Sequence, residues 1–476
     1  MLAVCLLVPM AGALLIALCH ARPNARESVS LAAAAGLFFA VLSLAGPVLE
    51  GGRPSLRMLE ILPGIALALE LEPLGLLFAL VASGLWFLSA LYSIGYMRGN
   101  GEAHQTRFYV CFALAIAAAI GVAFAGNLLT LYLFYEALTL VTYPLVTHHG
   151  DESARRGGRT YLALLLVSSI LFLLPALAIT WWTAGTLDFR AGGILSGGIS
   201  GGAAAALAAL YAFGIGKAAL MPIHRWLPAA MVAPTPVSAL LHAVAVVKAG
   251  VFSIVKVIVY VFGMDFGPQT FSCLAWVAGF TIVAASLVAL RADNLKRRLA
   301  YSTVSQLSYV VLAAALLTPL SIVGAVIHIA AHAFGKITLF FAAGAIYTAA
   351  HKTEVSELNG LGRRMPWTFA AFGIGALSMI GLPPAGGFVS KWYIVSGAVA
   401  AESWIALAVV TVSTLLNAGY FLPIVYRAFF LPPEEADEAH GEAPWTMLVA
   451  LLGTAGLTLA TFFWADVPLW IARSVT

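Results

Sequence analysis

The sequence predicts an all-α polytopic membrane protein of about fourteen transmembrane helices, and three observations carry that prediction. Hydrophobic residues fill 62% of 476 positions and charged residues only 10%, with a mean hydropathy of +0.96. Soluble globular domains do not have that balance. Apolar runs of helix-spanning length recur along the chain. Between them, basic residues favour every second loop, as the positive-inside rule requires.

The runs fall at 2–20, 29–48, 73–96, 108–125, 127–147, 160–183, 203–221, 237–262, 269–290, 299–317, 320–349, 367–400, 404–431 and 445–471. The first has no positive n-region, since Arg22 and Arg26 follow it. A transmembrane helix with its N-terminus outside is therefore preferred to a cleaved signal peptide. The stretch around 49–72 is polar enough to lie outside the membrane. Gly192–Gly202 is a glycine-rich connector without a phosphate-loop pattern. The run at 367–400 holds a helix interrupted by Pro383-Pro384 and Gly386-Gly387.

Of 25 Lys and Arg residues, five lie inside apolar runs. With the N-terminus outside, sixteen of the other twenty are cytoplasmic and four (Arg53, Arg57, Arg190 and Arg473) are outside. Losing one early helix would invert every later loop and destroy this bias, so both termini are expected outside. The acidic run Glu434–Glu442 does not count against it, because the rule reads Lys and Arg alone.

Composition also excludes. The cysteines Cys5, Cys19, Cys111 and Cys273 sit in apolar runs without C-x-x-C spacing, so no iron–sulfur, zinc or haem cofactor is expected. A net charge of +4, spread among loops, gives nucleic acid nothing to bind. No soluble segment is long enough for a catalytic core. The chain reads as a transporter subunit rather than an enzyme.

The informative residues are the charges inside the membrane: Glu136, Lys217, Lys248, Lys256, Lys336 and Lys391, with His242, His328 and His332 among them. A charge at the bilayer centre costs roughly 2.5–3.5 kcal/mol on insertion scales, and its default explanation is an ion or proton path. Lys217 stands just before Pro222, and Lys391 follows Pro383-Pro384 and Gly386-Gly387. Such paired, interrupted segments in two halves of a chain point to a transport site; snorkelling to an interface is the alternative. Glu136 lies more than two turns from its helix start at Asn127 and needs a partner, for which an intramembrane lysine is the candidate. A purely structural ion pair remains open.

His328, His332 and Lys336 are spaced by four and share one helical stripe. Two histidines at i, i+4 could bind zinc, but no third ligand accompanies them. A proton-conducting stripe fits better, since histidine titrates near neutral pH. His242 and Lys248 join the same set. Lys256, nearer the outer end of its helix, could snorkel or function. Tyr301, Ser302, Ser305 and Tyr309 form a polar face that could hold water or bond between helices.

These stretches resemble the antiporter-like subunits shared by respiratory complex I, membrane-bound hydrogenases and Mrp-type multisubunit cation/proton antiporters. The resemblance runs roughly from Phe108 to Phe430. It rests on Phe134-Tyr135-Glu136, Gly216-Lys217-Ala218-Ala219, His224-Arg225-Trp226-Leu227-Pro228, the segment Ala233–His242, the segment Asp293–Gln306, the His328/His332 helix and Gly381–Lys391. It implies two inverted five-helix repeats with broken helices. The organisation is then three N-terminal helices at 1–107, a first repeat at 108–262, a second at 263–431, and an acidic loop with the last helix at 432–476.

It further implies that Glu136 and Lys217 form a charge pair, with Lys248 leading through His328 and His332 toward Lys391. Withdrawing Glu136 would let Lys217 release its proton toward Lys248. The chain length and Gly387-Phe388-Val389-Ser390-Lys391-Trp392-Tyr393 look most like a D-type Mrp subunit, or a hydrogenase homologue. The expected function is proton translocation in a multisubunit sodium/proton antiporter of a bacterial or archaeal cell membrane. The alternative is the pumping subunit of a redox-driven complex. Expected partners are other membrane subunits, protons, Na+ and the lipid bilayer.

Overall fold

The computed structural model describes residues 1–62, 64–195, 198–199, 201–433 and 441–475. Each of the fourteen apolar runs is helical. Among the described residues, ten helices are long and apolar enough to cross a membrane, and Leu2–Leu18, Gly201–Gly214 and Pro366–Ile380 are shorter apolar ones. Leu295–Ala315, which opens on Lys296-Arg297-Arg298, supplies the remaining span. Most of the acidic run, residues 434–440, and part of the glycine-rich connector lie outside the described residues. Glu442 is described. Its carboxylate accepts from the Trp367 backbone N–H (2.8 Å) and the Thr368 hydroxyl (2.5 Å), and so caps the Pro366–Ile380 helix.

The stretch expected as a polar loop contains the one sheet among the described residues. Strands β1 (Ser55–Leu62) and β2 (Ile65–Glu70) pair antiparallel, with Ser55 opposite Glu70. An isolated hairpin is marginal in water, and this one is clamped. Ala68 O accepts from Gly126 N (2.9 Å), Ala66 O from Asn127 Nδ2 (2.7 Å), and Phe124 O from Glu70 N (2.7 Å). These contacts join β2 to the turn between the Gln105–Ala123 and Leu128–Val146 helices. Composition could not show this, because the partners lie more than fifty residues away.

Two helices cross the interior with almost no exposed surface. Thr235–Phe262 is wholly buried and contains two π-helical stretches, Leu240–Val244 and Ile258–Phe262. Pro319–Ala350 runs 32 residues from a capping box at Thr318 and Ser321.

Both expected helix breaks are present. Gly201–Gly214 ends, a single 3₁₀ turn carries Gly216–Ala218, and Ala219 adopts a left-handed backbone at φ 56°. The Gly216 carbonyl accepts from Ala219 N (3.0 Å) within that turn and from Trp226 Nε1 (2.9 Å), so the broken backbone is satisfied within protein. The second break ends Pro366–Ile380 at Gly381 (φ 90°) and restarts at Gly386–Ala400.

Gly250 shows how tightly the first break is held. A Cβ there would stand 2.4 Å from the Lys217 carbonyl carbon and from the Ala218 nitrogen, both backbone atoms. Gly250→Ala is therefore expected to destabilise the protein by about 1–3 kcal/mol, read as a lower thermal midpoint. Gly36→Ala, whose Cβ would meet Val8 Cγ1 at an ordinary 3.7 Å, is expected to leave the midpoint unchanged.

Candidate functional site

The break after Gly214 turns Lys217 inward, where it is fully buried. Its Nζ donates to the Tyr135 carbonyl (2.8 Å) and the Thr139 hydroxyl (2.5 Å), and lies 3.2 Å from the centre of the Tyr135 ring. The Tyr135 hydroxyl accepts from the Lys217 backbone N–H at 3.0 Å. All these partners belong to the Leu128–Val146 helix that carries Glu136. The expected Glu136–Lys217 ion pair is not closed. Both Glu136 carboxylate oxygens are enclosed and accept no hydrogen bond among the described residues. Tyr135 and Thr139 lie four apart on the stripe facing Lys217 and take its hydrogen bonds, while Glu136 acts on it through its charge.

Lys248 lies at the middle of the Thr235–Phe262 span. Its Nζ stands 2.5 Å from His332 Nδ1 across to the Pro319–Ala350 helix. The stripe expected on that helix is real. His332 and His328 rings stack at 5.9 Å, and His328 stacks in turn on Tyr309 at 5.7 Å. His328 Nδ1 is 2.9 Å from Ser390 Oγ, one residue before Lys391. Lys391 Nζ donates to the Ile380 carbonyl freed at the second break (2.9 Å) and to Thr414 Oγ1 (3.3 Å), beneath the Tyr309 ring at 4.8 Å. Lys248, His332, His328 and Ser390 thus form a contiguous buried run ending beside Lys391.

Lys336 belongs to the stripe but turns to another helix, donating to Ser302 Oγ at 2.8 Å, and Ser302 accepts from Tyr420 OH at 3.2 Å. His242 is fully buried in the first π-helical stretch with its ring 4.7 Å from Phe340, and neither ring nitrogen has a partner among the described residues. It lies near the run without joining it by hydrogen bonds. Of the polar face on Leu295–Ala315, Ser302 and Tyr309 touch the charged groups, while Ser305 bonds Ser286 (3.0 Å) between helices. Tyr301 lies partly exposed.

A cleft of about 280 Å³ is lined by Tyr96, Glu102, His149, Thr235, Lys296 and Tyr347 among others. In the loop at its rim, burial holds the Glu102 carboxyl above its ordinary value, and burial pushes neighbouring His148 down to about 4. Sequence reasoning named Tyr135 only within the Phe134-Tyr135-Glu136 motif, without a role, and did not single out Thr139 or Thr414; all three hold the lysines. Their signal was spacing: Thr139 stands one turn from Tyr135.

Comparison with known proteins shows the family. Residues 125–417 match the family described as NADH:quinone oxidoreductase/Mrp antiporter, TM, and residues 64–109 match NADH-ubiquinone oxidoreductase (complex I), chain 5 N-terminus. The chain belongs to this family of multi-pass, antiporter-like membrane subunits. Among particular relatives, it is 34% identical to NADH-quinone oxidoreductase subunit N of Desulforudis audaxviator, covering 94% of this chain and 91% of that protein. It is 32% identical to hydrogenase-4 component B of Escherichia coli, over 86% of this chain and 64% of that one. It is 30% identical to a probable K(+)/H(+) antiporter subunit of Rhizobium meliloti, over 95% of this chain and 46% of that one. The chain thus spans nearly all of the first relative, under two thirds of the second and about half of the third. The fold recurs in the Mrp complex from Dietzia sp., at TM-score 0.90 and 22% identity, with 100% of this chain and 96% of that one covered. It recurs again in an archaeal membrane-bound sulfane sulfur reductase, at TM-score 0.87 and 24% identity, with 100% and 96% covered.

The Lys336–Ser302 contact is directly testable. A double-mutant cycle of Lys336→Met and Ser302→Ala is expected to give a coupling of about 0.5–3 kcal/mol in thermal unfolding. Additive effects would show that the two groups do not share a bond.

Proposed function

We propose that the chain translocates protons along this buried run as one subunit of a larger membrane complex. The observation that carries the reading is the direct succession Lys248, His332, His328, Ser390 and Lys391 across three helices, the last restarting after a helix break. Amines, imidazoles and hydroxyls can both give and take a proton. A sodium ion, in contrast, would meet a line of ammonium groups. The chemistry of the run therefore suits protons, and any coupled cation would pass elsewhere.

The proposed cycle is electrostatic. Lys217 is held on Tyr135 and Thr139, within reach of the Glu136 charge. Approach of the carboxylate would favour the charged lysine, and its withdrawal favours release toward Lys248, most directly through bridging water. From Lys248 the proton passes to the histidine stripe, with Lys336 and His242 setting the local field, and Lys391 exchanges it with one side. The cleft at Glu102 and Lys296 gives the basic face an approach to the interior. We place that face in the cytoplasm and both termini outside, in a bacterial or archaeal cell membrane.

Two energy sources fit. The nearly full-length likeness to an NADH-quinone oxidoreductase subunit supports a redox-driven complex. The likeness to an antiporter subunit supports monovalent cation/proton exchange, with Na+ as the cation first expected from sequence. Mass spectrometry of the intact complex separates them: peripheral iron–sulfur proteins indicate the first, and small membrane subunits alone indicate the second.

In that complex, Lys217→Ala is expected to reduce proton translocation roughly a hundredfold at normal assembly, measured by fluorescence quenching in inverted vesicles. Unchanged translocation would overturn the mechanism. Glu136→Gln is expected to slow translocation as well, and a normal rate would favour a scaffold role for this chain.

A further inference from the structure

The cycle above does not use the buried pair Lys256–Glu72. Lys256 and Glu72 are 1% and 3% exposed, and Lys256 Nζ stands 2.6 Å from Glu72 Oε1. Lys256 does not snorkel, and the acidic end of the stretch expected outside the membrane is enclosed in protein. Glu72 is the N-cap of Pro73–Gly99, where its Oε2 accepts from Gly75 N at 2.6 Å. Lys256 also donates to the Ala125 carbonyl at 2.8 Å and lies near the Phe189 and Phe252 rings. Each group therefore has a second partner to fall back on when the pair opens.

The placement connects this pair to both the run and the surface. Lys256 follows Lys248 by eight residues on one buried helix, about 12 Å along its axis. Phe252 and the Ser253 hydroxyl stand between them, the latter donating to Ala249 O at 2.7 Å. On the other side, Glu72 is two residues from Glu70 at the end of β2. Glu70 is partly exposed and faces Arg53 across the hairpin edge at 3.6 Å. The other titratable group beside the pair is Tyr260, in the π-helical stretch that follows Lys256. A closed ion pair in such a place contributes little net stability, since apolar residues of similar volume often replace one without loss.

We propose that Lys256 and Glu72 form a proton-release pair, through which a proton held on Lys248 reaches the hairpin face within the first repeat, independently of Lys391. The inference rests on the reading of Lys248 as a proton carrier. In the balanced step, charged Lys256 first passes its proton to the Glu72 carboxylate. Neutral Lys256 then takes the proton of Lys248 through Ser253 or water, and neutral Glu72 releases its own at the hairpin edge beside Glu70. The closed ion pair is restored, with one proton moved from Lys248 to the hairpin face.

The test uses the assembled complex in inverted vesicles, with proton movement followed by fluorescence quenching. It is driven by NaCl or by the reduced donor, whichever its subunits call for. The double variant Glu72→Gln/Lys256→Met removes both charges together and is expected to lower translocation about tenfold at normal assembly. Wild-type translocation would overturn the proposal and leave the pair as a latch for the hairpin. Should the double variant not assemble, Glu72→Asp keeps both charges and withdraws the carboxylate by one methylene. It is expected to slow translocation and shift its pH profile, and a wild-type rate and profile would overturn the proposal. Lys217→Ala measured alongside separates the two readings. Normal translocation in that variant would sink the underlying cycle; its loss, with the double variant unaffected, would sink the release pair alone.

Discussion

Taking an ammonium group out of water costs several kcal/mol unless partners replace the lost hydration, and much of this structure is organised by meeting that need five times. Lys217 receives a carbonyl, a hydroxyl and an aromatic face; Lys248 an imidazole; Lys336 a serine; Lys391 a carbonyl and a threonine. All of these partners are neutral. A carboxylate favours the charged form of its lysine, whereas a neutral partner accepts a bond from ammonium and amine alike. The four lysines are therefore stabilised without being committed to one protonation state. Lys256, facing Glu72, is the exception.

The helix breaks belong to the same constraint. An intact helix keeps its carbonyls for itself, and only an interrupted one has any to offer. At the second break, Ile380 O, freed before Gly381, becomes the acceptor for Lys391 a few residues on. Proline and glycine at Pro383, Pro384, Gly386 and Gly387 thus create the binding group as well as the bend. At the first break, the Gly216 carbonyl is taken by Ala219 N and Trp226, and Lys217 turns instead to the neighbouring helix.

Most of the spans were legible in the sequence because each is a local property: twenty apolar residues announce themselves without reference to the rest of the chain. The stripe of His328, His332 and Lys336 was legible for the same reason, since a spacing of four is local. The hairpin at Ser55–Glu70 was not, because its bonds go to Phe124, Gly126 and Asn127. Glu136 illustrates the limit within the site. Sequence and family resemblance placed a carboxylate and a lysine in the same membrane region and suggested a closed pair. Which face of one helix meets the lysine depends on packing, and Tyr135 and Thr139 occupy that face. Glu72 was hidden by its setting, a charged residue at the edge of a polar stretch that looked solvated.

The depth of the run within each span has an electrical consequence. Lys248 sits at the midpoint of Thr235–Phe262, His332 near the midpoint of Pro319–Ala350, and Lys217 and Lys391 beside their helix breaks. Displacing a unit charge across a full membrane potential is worth about 2.3 kcal/mol per 100 mV. A proton passed between groups at one depth crosses almost none of that drop. On the proposed path, transfers between groups at similar depth would therefore be nearly blind to voltage, and the field would act mainly on the entry and exit steps, where the charge moves along the membrane normal.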